Sequence, residues 1–276
     1  MSKTWYITGA SRGFGQAWAK AALERGDKVA ATARDTSTLE ALVGAHGGAV
    51  LPVQLDVTDR AASFAALQQA HEHFGRLDVV VNNAGYGHFG FVEELTEAEA
   101  RQQIETNLFG ALWTTQAALP LLRGQGGGHL LQVSSMGGVV AFPSLGIYHA
   151  SKWALEGLTE ALSAEVGMFG IKTTIIEPGG YATDWGGASA AASTPMPEYQ
   201  PIRDAMAARR AGAASPGADA TVDALFAVVD ADQPPARLLL NSTAFDMVTG
   251  TVEQRLQTWR DWESVSRAAD GHAASA

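Results

Sequence analysis

The chain has 276 residues and a hydrophobic content of 46%, which suits one sizeable core better than two. A net charge of −10 without any basic cluster argues against a surface that tracks nucleic-acid phosphates, and the lack of cysteine rules out disulfides and zinc–thiolate sites. The opening MSKTWYITGASRGFG turns polar and glycine-rich too early for a secretory leader, and no apolar run reaches the ~18 residues of a membrane span. His71 and His73 fall on different helix faces and make no ligand pair. The expectation is a soluble, cytoplasmic protein that uses no metal.

Apolar strand-like runs alternate with longer amphipathic stretches. Lys3–Thr8 reads as a first strand and Phe14–Arg25 as a helix; Lys28–Ala33 is a second strand and Ser37–Val43 a short helix. Val50–Leu55 is a third strand before a helix over Arg60–Phe74, and Asp78–Val81 a short buried strand. Thr96–Leu122 is a long helix, bent or loosened near Gly110; His129–Val133 is a fifth strand, Ile147–Phe169 a helix and Ile171–Ile176 a sixth strand. This alternation predicts βαβ units and a doubly wound parallel sheet of about seven strands with helices on both faces. After Pro178 the pattern changes. Gly186–Pro197, rich in small residues, reads as a mobile loop, followed by helical Ile202–Ala211 and Ala218–Asp230, a last strand at Arg237–Leu240 and a helix over Phe245–Arg267. Nothing divides the chain, so residues 1–276 are expected to be one domain, with a lid at about 181–212 and a helical extension at about 243–268.

The first strand runs into Thr8-Gly9-Ala10-Ser11-Arg12-Gly13-Phe14-Gly15 and then a helix. Gly9 permits a tight turn, Gly13 and Gly15 permit close backbone approach, and the helix N-terminus faces an anion such as a dinucleotide pyrophosphate. The spacing is G-x3-G-x-G, and its plain alternative is an ordinary βα turn. At the end of the second strand, where an acid would hold the ribose 2′-hydroxyl of NAD, stand Ala33 and Arg34. Arg34, with Arg12 from the glycine turn, suits a 2′-phosphate. NADP(H) is therefore preferred, while Asp35, one residue further on, keeps NAD(H) open.

Tyr148 and Lys152 are four residues apart on one helix face. A lysine ammonium beside a phenol favours phenolate, and bringing a phenol from ~10 to neutrality takes roughly 4 kcal/mol at ~1.36 per pH unit. Ser135 follows the fifth strand, where strand ends of a parallel sheet converge on a ligand crevice, and its hydroxyl can bond the substrate oxygen that Tyr148 protonates.

These pieces together resemble the short-chain dehydrogenase/reductase family in its shorter, single-domain branch. The matching elements are Thr8–Gly15, Asp56-Val57, Asn82-Asn83-Ala84-Gly85, Asn107, Ser135, Tyr148-x-x-x-Lys152 and Pro178-Gly179, in the family's order and spacing. The resemblance implies a Rossmann-type fold and an NAD(P)-dependent carbonyl reductase or alcohol dehydrogenase. Tyr148 would be the general acid/base, Lys152 would lower its pKa and bond the nicotinamide ribose, and Ser135 would orient the carbonyl. Asn107 would hold a water in the proton relay, or as a plain buried asparagine bond backbone. Asp56, with Val57, would sit by the adenine, or Asp56 would cap the following helix. Asn83, Ala84 and Gly85 would line the cofactor, with Asn83 tying adjacent strands, alongside Ser11 and Phe14. Pro178, Gly179 and Thr183 would bound the carboxamide. A homodimer or homotetramer through the two long helices is also implied. His149, about 100° round the helix from Tyr148, suits a structural or pocket-rim role.

Two other functions compete: a sugar-nucleotide epimerase or dehydratase, for which the chain is short, and a non-catalytic NADP-sensing module, which has no need of a proton relay. Met136, Val139, Phe142, Tyr181 and Trp185, placed after the fifth and sixth strands, are the expected substrate pocket. Their apolar character points to a lipophilic ketone, aldehyde or secondary alcohol as the small-molecule partner.

Overall fold

The computed structural model describes residues 2–186, 190–210 and 215–270. Its strands are β1 (Thr4–Ile7), β2 (Lys28–Ala33), β3 (Val50–Gln54), β4 (Val79–Asn82), β5 (His88–Phe89), β6 (Gly128–Val133), β7 (Ile171–Pro178), β8 (Ala191–Ala192) and β9 (Arg237–Leu240). Seven of them form one sheet in the order β3-β2-β1-β4-β6-β7-β9, with every neighbouring pair parallel. β1 starts the chain in the middle, so the order reverses between β1 and β4, where a crevice opens beyond the strands' carboxyl ends.

The strands read as unbroken apolar runs because both faces of the sheet are covered. Trp5 and Ile7 pack on one face with Trp18, Val81, Leu131 and Leu225. Tyr6 points the other way, among Leu67, Leu122, Leu130 and Leu162. Removing each of these large side chains from water contributes roughly 1.5–3 kcal/mol.

Helices α1 (Gly13–Glu24), α2 (Glu40–His46), α3 (Arg60–Phe74), α4 (Glu97–Ile104), α5 (Gly110–Gly124) and α6 (Gly146–Val166) join the strands in turn. α3 runs over the residues its sequence predicts because both ends are signalled locally. Asp59 accepts a hydrogen bond from Ala62 N at 2.9 Å, and Gly75 ends the helix in the left-handed region at φ +79°. Asp56 does not cap it; its Oδ1 accepts instead from Thr58 N and Oγ1 at 3.0 and 2.8 Å.

The expected loosening of the long helix is a π turn over Glu105–Phe109, centred on Asn107 and just ahead of Gly110. Gly110 itself is a point of close approach, where a Cβ would lie 2.7 Å from Val57 Cγ2.

The segment after β7 departs furthest from expectation. Gly186–Pro197, read as a mobile loop, lies partly outside the described residues at 187–189, but Ala191–Ala192 is a strand, pairing in parallel with β5. That pairing joins residues about a hundred apart, beyond any local signal in a run of small residues. Helix α7 (Gln200–Arg210) follows, then α8 (Val222–Asp230). The predicted C-terminal helix is two, α9 (Ser242–Asp261) and α10 (Glu263–Ala268). α9 starts earlier than its apolar spacing suggests because Asn241 Oδ1 accepts from Ala244 N at 2.9 Å.

Candidate active site

The crevice at the carboxyl edge is a cleft of about 440 Å³. The glycine turn forms its floor. Gly9 and Gly13 sit at φ +66° and +55°, a region side chains rarely adopt. Gly15 is required by space, since a Cβ there would lie 2.6 Å from Asn83 Nδ2 and closer still to Gly9 O. Asn83 Nδ2 donates to Thr8 O and Gly9 O at 2.9 and 3.0 Å, tying the turn after β4 to the turn after β1. Arg12, at the N-cap of α1, makes no side-chain capping bond and the first turn holds no acid. The first N–H groups of α1 therefore lack a capping side chain at an end that attracts anions.

Gly9, Ser11, Arg12, Gly13, Phe14, Arg34, Asp56, Val57, Asn83, Ala84, Gly85 and Thr183 all line this cleft, with Ala33 at the end of β2. Gly15, Pro178, Gly179, Tyr148 and Lys152 are not among the lining residues, nor are Ser135 and Asn107. Gly15 serves the turn, and Gly179 passes so close to Asn241 that a Cβ would meet its Nδ2 at 2.7 Å. Asp35 is engaged elsewhere: its carboxylate accepts from Ser37 N at 3.0 Å, and hydrogen bonding to Ser37 holds it below the usual carboxylate range.

Behind Val133, Gly85 and Trp185 of the cleft lining, Tyr148 and Lys152 lie one turn apart on α6, each 5% exposed. Lys152 Nζ donates to Val133 O at 2.7 Å and stands 5.9 Å from the centre of the Tyr148 ring. Val133 lines the cleft, so the ammonium is held at its wall. Burial lowers Lys152 to about 8, with the charge of Glu156 opposing. Burial also pushes the Tyr148 phenol up to about 12, against a lowering hydrogen bond from Ser135. Loss of water on burial is the largest influence on both groups, raising the phenol and lowering the ammonium. Ser135 Oγ accepts from Gly137 N at 3.0 Å and reaches Pro178 O at 3.5 Å, which fixes the hydroxyl between β6 and β7.

Asn107 sits in the π turn with both ends of its amide engaged. Oδ1 accepts from Tyr86 N at 3.1 Å, and Nδ2 donates to Tyr86 O at 3.0 Å and Ser151 Oγ at 3.1 Å. Gly85 lets this group approach the lysine, for a Cβ there would lie 3.0 Å from Asn107 Oδ1 and 3.7 Å from Lys152 Nζ. His149 is tied to the loop before α6: its Nδ1 accepts from Phe142 N at 3.3 Å and its ring packs edge-on against Phe142.

The five apolar residues expected to form one pocket wall are spread over three places. Trp185 stacks edge-on to Tyr148 with ring centres 5.0 Å apart, and to Phe89 at 5.4 Å. Tyr181 packs instead on Phe14 at 5.2 Å, below the glycine turn. Met136, Val139 and Phe142 cluster with Ala244 and Val248 of α9. Sequence distance from a strand end fixes which edge of the sheet a residue serves, but not which helix covers it.

Tyr86, Gln102, Thr106 and Asp184 also line the cleft and were missed. Gln102 and Thr106 are one helical turn apart and could have been found from the position of Asn107; nothing local marks Tyr86 or Asp184. Among the described residues no cluster of His, Asp or Glu could hold a metal, and no helix is long and apolar enough to cross a membrane.

Residues 3–193 match the family model described as short chain dehydrogenase. Over 275 residues the chain is 41% identical to Oxidoreductase BOA17 of Botryotinia fuckeliana (strain B05.10), covering 98% of this chain and 100% of that one. A solved short-chain dehydrogenase from Streptomyces avermitilis superposes with a TM-score of 0.90 at 38% identity, covering 97% and 98% of the two chains. An alcohol dehydrogenase from the archaeon Thermococcus sibiricus, complexed with 5-hydroxy-NADP, matches at 30% identity and TM-score 0.74, over 88% and 98%. A short chain dehydrogenase/reductase from Burkholderia phymatum in complex with NAD matches at 26% and 0.79, over 92% and 95%.

Proposed function

Because the chain belongs to the short-chain dehydrogenase family, we propose that it is an NADP(H)-dependent oxidoreductase interconverting a lipophilic ketone or aldehyde and its alcohol, with Tyr148 as general acid/base. The observation that carries this is the covered phenol. Tyr148 is buried under Trp185, on the same helix face as an ammonium held at the wall of a cleft floored by the glycine turn.

The cleft fits a nicotinamide dinucleotide. Gly9, Gly13 and Gly15 leave room for its pyrophosphate, and the uncapped start of α1 offers N–H donors to it. Arg12 and Arg34 would pair with a 2′-phosphate, while Asp56 and Val57 would lie along the adenine end. The solved relatives bound to 5-hydroxy-NADP and to NAD support a cofactor of this class; the preference for NADP(H) rests on Ala33, Arg34 and the turned-away Asp35.

When bound, the cofactor supplies or accepts the hydride. The chain does the rest. Ser135 orients the substrate oxygen and Tyr148 gives it a proton, or takes one in the reverse direction. Lys152 bonds the nicotinamide ribose through donors left free by its single bond to Val133 O, and its charge favours phenolate once positive charge develops at the ring. Asn107 positions this end of the site through Tyr86 and Ser151, and its Oδ1 has a second lone pair for a relay water. Trp185 excludes bulk water and offers an apolar wall, which is why the substrate is read as lipophilic. The working form is read as a cytoplasmic homodimer or homotetramer.

A panel of ketones, aldehydes and secondary alcohols with both cofactors tests this. Wild type should turn over part of the panel, and Tyr148→Phe should lose about 10²–10⁴-fold in kcat while still quenching on dinucleotide binding. A fully active Tyr148→Phe variant overturns the mechanism.

A further inference from the structure

Besides His149, α6 carries another buried ionisable group beyond the pair that forms the site. Tyr148, Lys152 and Glu156 follow one another at four-residue steps on one face, and Glu156 is 4% exposed. It faces away from the nucleotide cleft, towards a second cleft of about 690 Å³ between α6, β9 and α9.

The groups around it are unbalanced in charge. From β9, Arg237 bonds to Glu156, and to Glu177 of β7 and Glu160 of α6 at 2.7 and 2.6 Å. Glu177 is 2% exposed, whereas Glu160 is largely in water. From the turn after β6, Ser134 Oγ and Glu156 Oε1 converge on Gly138, where a Cβ would lie 2.6 Å from the hydroxyl and closer to the carboxylate. Arg255 of α9 lines the same cleft but spends a guanidinium N–H on Val139 O at 2.6 Å. One guanidinium thus serves two buried carboxylates and a third at the surface. Among the described residues, Lys152 is the only buried lysine or arginine.

We propose that Glu156 is a positioning residue for Lys152: a buried counter-charge, open to solvent through the second cleft, that holds the lysine as an ammonium on the alkaline side of neutrality while the nucleotide cleft is covered. The proposal rests on the reading of Lys152 given above. Burial pushes both Glu156 and Glu177 above the usual carboxylate range, with their mutual repulsion adding to the rise of Glu156 and Arg237 opposing it. The pair therefore sheds its shared proton as pH climbs, and the negative charge arrives where Lys152 would otherwise lose its own proton. That proton leaves by the second cleft and need not cross the substrate.

The test is Glu156→Gln, which keeps the shape and a hydrogen bond to Arg237 but not the charge. In the full-length, ¹⁵N-lysine-labelled protein, the Lys152 Nζ titration followed by NMR should fall by about one pH unit. The alkaline limb of kcat/KM should move down with it, while Kd for the dinucleotide at pH 6 stays unchanged. Glu160→Gln should leave both midpoints where they are, and Glu156→Asp should restore most of the shift. A folded Glu156→Gln protein whose Lys152 titrates as in wild type overturns the proposal. Should that variant fail to fold, Glu177→Gln, which removes the repulsion that keeps Glu156 protonated, must raise the same midpoint, and no movement there overturns it equally. The NMR titration needs no substrate. A moved midpoint in a protein without carbonyl turnover would therefore sink the reductase reading and leave the coupling standing.

Discussion

Arg34 stands one residue beyond β2 at the cleft wall, and its neighbour Asp35 is drawn away by the turn it caps. Side chains on successive residues at a strand end point in opposite directions, so only one of these two charges can face the ribose. Arg34→Ala should raise KM for NADPH by about tenfold or more and leave KM for NADH within about twofold, the difference expected from losing a charge-assisted contact to phosphate. Steady-state kinetics with both cofactors checks this; equal effects would remove the 2′-phosphate assignment.

Among the elements, the segment from β8 through α7 owes its place to partners distant in sequence. It is fastened to the body at several points. β8 pairs with β5, Ser193 Oγ bonds His88 at 2.8 Å and Glu99 at 3.0 Å, and Tyr199 stacks on Phe91 with ring centres 4.4 Å apart. The strongest fastening is Glu94, whose buried carboxylate receives Arg203 at 2.5 Å and Met196 N at 2.7 Å. Burial works to raise Glu94, but bonds from Arg203 and the backbone prevail and lower it from 4.5 to about 2. A carboxylate depressed in the folded state stabilises fully above its unfolded value and loses that contribution as pH falls through the folded one. The fastening should therefore hold above about pH 4.5 and weaken progressively towards pH 2. Glu94→Gln should loosen it at neutral pH, with amide exchange in residues 190–210 faster by about tenfold and the sheet unaffected. Exchange equal to wild type would show that β8 and Tyr199 suffice.

For the whole molecule, the last third of the chain completes the core that the first third begins. Trp18 of α1 is fully buried and its Nε1 donates to Thr221 Oγ1 at 2.7 Å, just ahead of α8. Thr221→Val keeps the volume but strands that N–H, and should cost about 1–3 kcal/mol in urea unfolding. Dinucleotide affinity should change little, because the bond lies beneath the glycine turn and not in the cleft. A neutral result would mean that water reaches the indole.

The sheet, its helices and the order of the site residues were legible in the sequence because each depends on short-range chemistry. Apolar runs mark β1, β2 and β6, Asp59 and Gly75 bound α3, and the glycine spacing sets the turn beneath the cleft. The break at Asn107 was visible as a weak point near Gly110, though not as a π turn. What the tertiary structure alone decided concerns pairings between distant residues. A run of alanines becomes β8 only because β5 offers an edge, and Trp185 rather than Tyr181 covers Tyr148 because Gly87 leaves room for its ring. The protonation of Tyr148, Lys152 and Glu156 belongs to the same class. Spacing along a helix puts charges side by side, but the water they lose on burial is set by everything packed around them.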